Sequence, residues 1–229
     1  MTKIHTLGQL QTVLDDQFSW RLKEIANLKL AVKQQTSMSE KTLVRAGITL
    51  LYAHWEGFVK AAAQAYLDFV NTQGLRYEEL RDCFVALGVK KRLGELVDAK
   101  KSAVHVAAID FIRTAMGDRA ELKTKSAIDT ESNLNSAVFE NIAATIGLET
   151  AAYETRFHLI DESLLARRNR IAHGEYLDID MDGWRHLADE IVSLMRQVKD
   201  DIENAASLSR FLRPASISGS QIAVVDARP

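Results

Sequence analysis

No proline occurs before Pro214, and Pro229 is the only other one in the 229 residues. The first 213 positions therefore contain none of the residue that removes a helical N–H and clashes with the preceding turn. Along the same stretch apolar residues recur three and four apart, which is the period of a helix and not of a strand. Leu7, Leu10, Leu14, Phe18, Leu22, Ile25, Leu28 and Val32 form one such stripe. They predict an amphipathic helix over 7–35, with charged residues on its other faces.

A second helix is expected over 40–71, with Ser37 or Ser39 as its cap. It carries two stripes. One is Leu43, Leu50, Leu51, Phe58, Ala65 and Phe69; the other is Val44, Ile48, Tyr52, Trp55, Val59 and Tyr66. Two stripes mean wide burial, so this helix should be central. Over 74–130 the pattern weakens to short helices at 77–87, 93–100 and 104–116, separated by Gly74, Gly88 and Gly117. Helices are again expected over 134–146, closed by Gly147, and over 153–173, closed by Gly174. A last long one, capped by Asp180 or Asp182, carries Trp184, Leu187, Ile191, Leu194, Val198 and Ile202. The expected architecture is all-α: a four-helix bundle in one domain, 1–206, with an insertion of short helices and loops at about 75–130. A tail comes last, over 207–229, loose or docked on a partner, with a small apolar run from Ile222 to Val225.

Composition narrows the function. Apolar residues are 47% and charged residues 26%, an ordinary globular mix. The single cysteine, Cys83, excludes a disulfide framework or a Cys-rich zinc site within one chain. His5, His105, His158 and His186 show no metal-ligand spacing, and GxGxxG, GxxxxGK[ST] and HExxH are absent. No metal or cofactor is expected. The N-terminal residues lack a signal-peptide core, and no run of about 18 apolar residues exists. A cytoplasmic protein without membrane attachment is expected. The net charge of −2 means that any grip on nucleic acid is local.

One segment breaks the pattern. Phe157, Ile160 and Leu164 lead toward Arg167-Arg168-Asn169-Arg170-Ile171-Ala172-His173-Gly174-Glu175. Arg168 follows Leu164 by four residues, Asn169 follows Leu165 by four, and His173 follows Asn169 by four. Polar residues thus continue an inward-facing row, the kind of local conflict found at functional sites. Asn169 and His173 form an i,i+4 pair in which the amide is expected to orient the imidazole. His173 falls in the last turn, where the helix dipole favours its protonated form.

Arg168-Asn169-Arg170-Ile171-Ala172-His173 has the RNxxxH form of the Arg-x4–6-His motif. A loose match of that kind arises about once by chance in such a chain, and the Asn lowers this to about one in a hundred. On this motif, on 50–60 around Trp55-Glu56-Gly57, and on the Ala172-His173-Gly174-Glu175 ending, the chain resembles the HEPN superfamily, in its bacterial MAE-type and RiboL-PSP-type branches. The resemblance covers about 37–72 and 133–205. It implies RNA cleavage without a metal by a homodimer whose two motifs share one cleft. His173 would move protons at the ribose 2′-OH or the 5′-oxygen, Arg168 would clamp the phosphate, and Asn169 would hold His173. A toxin or defence role, with an antitoxin or defence partner protein, is the expectation that goes with it. The inward position of Arg168 is a further reason to expect a second subunit.

Other residues have plainer readings. Glu56 suits an i,i+4 ion pair with Lys60; the sharper reading puts it near the pocket beside Arg168. Arg167 and Arg170 suit a solvated or phosphate-steering role. His54 reads as a core histidine, Trp55 and Trp184 as core, and His158, Asp161 and Glu162 as a solvated face. Lys90-Lys91-Arg92 and Lys100-Lys101 read as surface, or as RNA-steering if they ring the cleft. The competing function is a non-catalytic nucleotide- or RNA-binding adaptor module.

Overall fold

Thr6 and Gln9 begin the fold by capping each other. The Gln9 N–H donates to Thr6 Oγ1 and the Thr6 N–H to Gln9 Oε1, each at 3.2 Å. This reciprocal box satisfies donors that a helix start otherwise leaves open. The structure is a computed structural model that describes residues 3–34, 37–98, 101–125 and 127–214. From the box runs α1 (Leu7–Lys33), burying Leu10, Leu14, Phe18, Ile25 and Val32 as the stripe predicts. Arg21 is buried with them, which the apolar pattern did not indicate.

The central helix α2 spans Ser37–Thr72. Ser37 and Ser39 therefore lie within the helix; a cap would fall at 36, outside the described residues. Its Trp55, Phe58 and Leu67 are completely buried, as two stripes require. Three short helices come next, in the insertion: a 3₁₀ turn Tyr77–Glu79, then α3 (Asp82–Asp98) and α4 (Ser102–Ala115). Gly88 does not end a helix as expected. It lies inside α3, where a Cβ would come within 2.2 Å of the Tyr77 ring. The glycine is there for close packing. Tyr77, Leu80, Phe84, Leu87, Ala120, Leu122 and Ile128 join the main core, so among the described residues the insertion packs on the bundle.

Helix α5 (Ser136–Thr145) is capped by Asn135, whose Oδ1 accepts the Val138 N–H at 2.8 Å. It closes at Gly147, φ 71°, with the Leu148 N–H bonded to the Ala143 carbonyl. The single helix expected over 153–173 is replaced by three windings. A 3₁₀ segment, Ala151–Arg156, comes first; a π-helical stretch, Leu159–Ala166, is second; α6, Arg167–Ala172, completes it. The π turn lets Ile160, Leu164 and Leu165 all face the core. Asp161, expected on a solvated face, instead accepts the Ser136 N–H at 2.7 Å and its hydroxyl at 2.6 Å. That ties the π stretch to the start of α5.

Asp180 caps α7 (Met181–Ser207) through the Gly183 N–H at 2.7 Å. Helices α1, α2 and α7 pack on one another, and α6 lies against α2. Trp184 of α7 is fully buried against Gly47 of α2. The chain after α7 is not loose as far as it is described. Phe211 sits edge-on to Phe69, and the Arg213 N–H bonds the Glu79 carbonyl at 2.8 Å. The run Ile222 to Val225 lies outside the described residues, as does Lys100; the side chains of Lys91 and Arg92 are likewise not described. Among the described residues there is no strand, and no helix is long and apolar enough to cross a membrane.

Candidate active site

Arg168 and Asn169 are half-buried in the first turn of α6, where the π stretch hands over to ordinary winding. Arg168 Nη1 donates to Asn169 Oδ1 at 2.7 Å, and Nη2 donates to the Ser132 carbonyl at 3.3 Å. The guanidinium carbon lies 4.2 Å from the centroid of the Tyr52 ring. Cation, amide and aromatic face thus form one unit, assembled from α6, α2 and the loop before α5. Two of the five guanidinium N–H groups are committed in this way.

The loop is itself bound to α2. The Leu134 N–H donates to the Tyr52 hydroxyl at 2.7 Å, and the Thr130 hydroxyl donates to Glu56 Oε1 at 2.6 Å. Asn169 Nδ2 donates to Asn133 Oδ1 at 3.4 Å. Burial pushes the Tyr52 phenol up to about 12; the Leu134 N–H opposes this, neighbouring Glu56 adds to it, and Arg168 opposes it. Tyr52 therefore stays a neutral phenol at physiological pH.

His173 caps α6 and is exposed. Its N–H bonds the Asn169 carbonyl at 2.9 Å, and the chain then reverses at Gly174, φ 79°. Here the expected pairing is corrected. The Asn169 amide is engaged with Arg168 and Asn133, and it reaches His173 only through the backbone. A charged donor one residue away is the stronger partner for the amide oxygen. The inward row also stops short of the imidazole, because the helix ends at Ala172. Nor does the position of Arg168 demand a second subunit, since its contacts lie within the chain.

The remaining expected residues divide. Glu56 is at the site, held by Thr130 and beside Tyr52, and not in the plainer pairing with Lys60. Arg170 is exposed and occupied: its Nε is 2.9 Å from Glu175 Oε2, and Nη2 donates to the Tyr176 carbonyl at 3.4 Å. Arg167 is half-buried. Sequence reasoning missed Tyr52, Thr130, Ser132 and Asn133. Tyr52 was hidden in an apolar stripe, although its spacing of four from Glu56 was a signal. The polar run Thr130-Glu131-Ser132-Asn133 was another. His54 is 2% exposed, with Nε2 3.1 Å from Glu24 Oε2 and the exposed Trp20 ring edge-on at 5.3 Å. It is a core histidine on the far side of α2 from the motif's contacts.

The profile of the RiboL-PSP-HEPN family matches residues 16–204. The chain belongs to this HEPN family. The bounds of the match enclose residues 75–130. No curated protein and no solved structure matches the chain. Membership brings a nuclease or RNA-related role at the level of the HEPN superfamily.

Proposed function

We propose that this HEPN protein is an endoribonuclease that cuts RNA by internal attack of a ribose 2′-OH, without a metal ion. The observation that carries the reading is Arg168. It is half-buried and aimed by an aromatic face, an amide and a carbonyl, with N–H groups to spare, on the same short helix that ends in exposed His173. A guanidinium held in this way suits a phosphodiester and the extra charge of its pentacoordinate transition state. His173 takes the 2′-OH proton as the oxygen bonds to phosphorus. The 5′-oxygen leaves and takes a proton from a second acid, and the product is a 2′,3′-cyclic phosphate. HEPN domains commonly dimerise, and a second copy of the motif across a shared cleft would supply that acid as a second His173. RNA is required because DNA lacks the nucleophile. A toxin or defence role, held in check by a partner protein, is consistent with such an activity.

Single-stranded RNA incubated with the protein in EDTA tests this. Cleavage with cyclic-phosphate ends is expected, and His173→Ala and Arg168→Ala should each lower kcat by about a hundredfold or more while helicity is kept. Equal cleavage by folded His173→Ala would exclude the mechanism. Light scattering at micromolar concentration should show a dimer; a monomer that still cleaves would remove the shared cleft. A binding module without turnover is the second reading. It is favoured by the imidazole, which accepts no hydrogen bond from Asn169 and stands exposed. It predicts RNA retention with no new ends.

A further inference from the structure

Resting on that reading, the geometry points to Tyr52 as the positioning residue that aims Arg168. It acts through its ring on one side and through the loop 129–135 on the other. Tyr52 is 2% exposed, yet both ends of its side chain are spent on the site and not only on the core. The ring face lies 4.2 Å from the guanidinium carbon, and the hydroxyl oxygen accepts the Leu134 N–H at 2.7 Å. The same loop returns to the arginine: the Ser132 carbonyl takes its Nη2–H, and Asn133 takes the Asn169 amide. The circuit from Tyr52 to Leu134, Ser132 and Arg168 closes back on Tyr52.

The loop has to be held to serve in this way. Glu131 and Ser132 both have φ of 54°, a region that residues with a Cβ seldom occupy. Such conformations persist only where the surroundings over-determine them. The ties are visible. Glu131 N–H bonds Asp129 Oδ1 at 2.8 Å, the Thr130 hydroxyl bonds Glu56 at 2.6 Å, and Tyr52 holds the Leu134 N–H. A phenylalanine would fill the same core volume, so the hydroxyl is explained by the loop. The aromatic face is explained by the cation.

The test uses the full chain as wild type, Tyr52→Phe and Tyr52→Leu, with circular dichroism as the folding control. Three readouts are taken: the Arg168 Nε–H resonance, assigned by its loss in Arg168→Lys; exchange of the Leu134 amide; and kcat on single-stranded RNA. In Tyr52→Phe the arginine resonance should keep its ring-current displacement, while Leu134 exchanges about tenfold faster, the scale of one lost hydrogen bond. In Tyr52→Leu the resonance should move to the position of free arginine. Its kcat should fall about a hundredfold, as a group displaced by an ångström does, with Tyr52→Phe between the two. An unmoved arginine resonance or undiminished kcat in folded Tyr52→Leu overturns the proposal. If Tyr52→Leu does not fold, unchanged Leu134 exchange in Tyr52→Phe overturns it and faster exchange supports it. Should the wild type cut no RNA, the ribonuclease reading fails by itself, and the arginine resonance still decides whether Tyr52 aims Arg168.

Discussion

At Ser132 a side chain is held in a backbone conformation that glycine adopts freely, at φ 54°. Ser132→Gly should therefore raise stability by about 0.5–1 kcal/mol, as relief of the left-handed strain outweighs the added freedom of the unfolded chain. Urea midpoints at constant m would show it. The same change gives the carbonyl partner of Arg168 more freedom, so cleavage should fall as stability rises. A lower midpoint would mean that the loop is not strained. At this scale the sequence singled out the motif residues but not the groups that hold them. Arg168 and His173 stood out because charge sat on an apolar row. Their partners did not, because a tyrosine in a core stripe looks like packing until its hydroxyl is seen to meet Leu134.

Helix α2 shows how element-level packing depends on a missing methyl group. A Cβ on Gly47 would lie 2.8 Å from Trp184 Nε1 and 2.9 Å from Cε2, and the indole is fully buried with no room to retreat. Gly47→Ala should destabilise the fold by about 1–3 kcal/mol, the usual cost of overpacking, despite alanine's better helix propensity. Thermal melting checks this; a rise in Tm would show that α2 and α7 can part without loss. The long helices were legible because α1, α2 and α7 keep a 3.6-residue stripe over many turns. The stretch 153–173 was not, because a single period does not hold throughout it. Three windings in succession shift the phase, and Asp161 turns inward to meet Ser136. Gly88 misled for a different reason: a glycine in a helix can serve a neighbouring ring as well as a break.

For the molecule as a whole, titratable groups buried in the core set a pH window. Burial pushes Tyr52 up to about 12 from 10.0, and pushes Tyr66 and Tyr153 up as well. The unfolded chain loses these phenolic protons first, so their contribution is complete below 10.0 and is lost as pH climbs through the folded values. Burial draws His54 below 6.5, with Arg21 acting in the same direction and Glu24 against it. There the unfolded chain binds the proton first, so stability is lost as pH falls from 6.5 toward the folded value. Arg21 and Trp20 of α1, with Glu24, face that histidine from the neighbouring helix. Melting temperatures should decline as pH falls below 6.5 and as it rises above 10.0. A melting temperature that keeps rising above pH 10.0 would contradict the burial of the three phenols.

The π-helical stretch absorbs extra chain without turning the motif helix α6 out of place. One residue fewer anywhere in Leu159–Ala166 would let that stretch wind as an ordinary helix. A π turn takes up its extra residue by turning less per residue than the roughly 100° of an α-helix, so the shortened helix would leave Arg167–Ala172 facing much as it does now, with Arg168 still on the side of the tyrosine. Every letter of the motif would still be spelled correctly. Among related chains, the count of residues between Asp161 and the arginine is thus free to differ by one without moving the guanidinium, and an alignment that forbids a gap there would misplace one of the two.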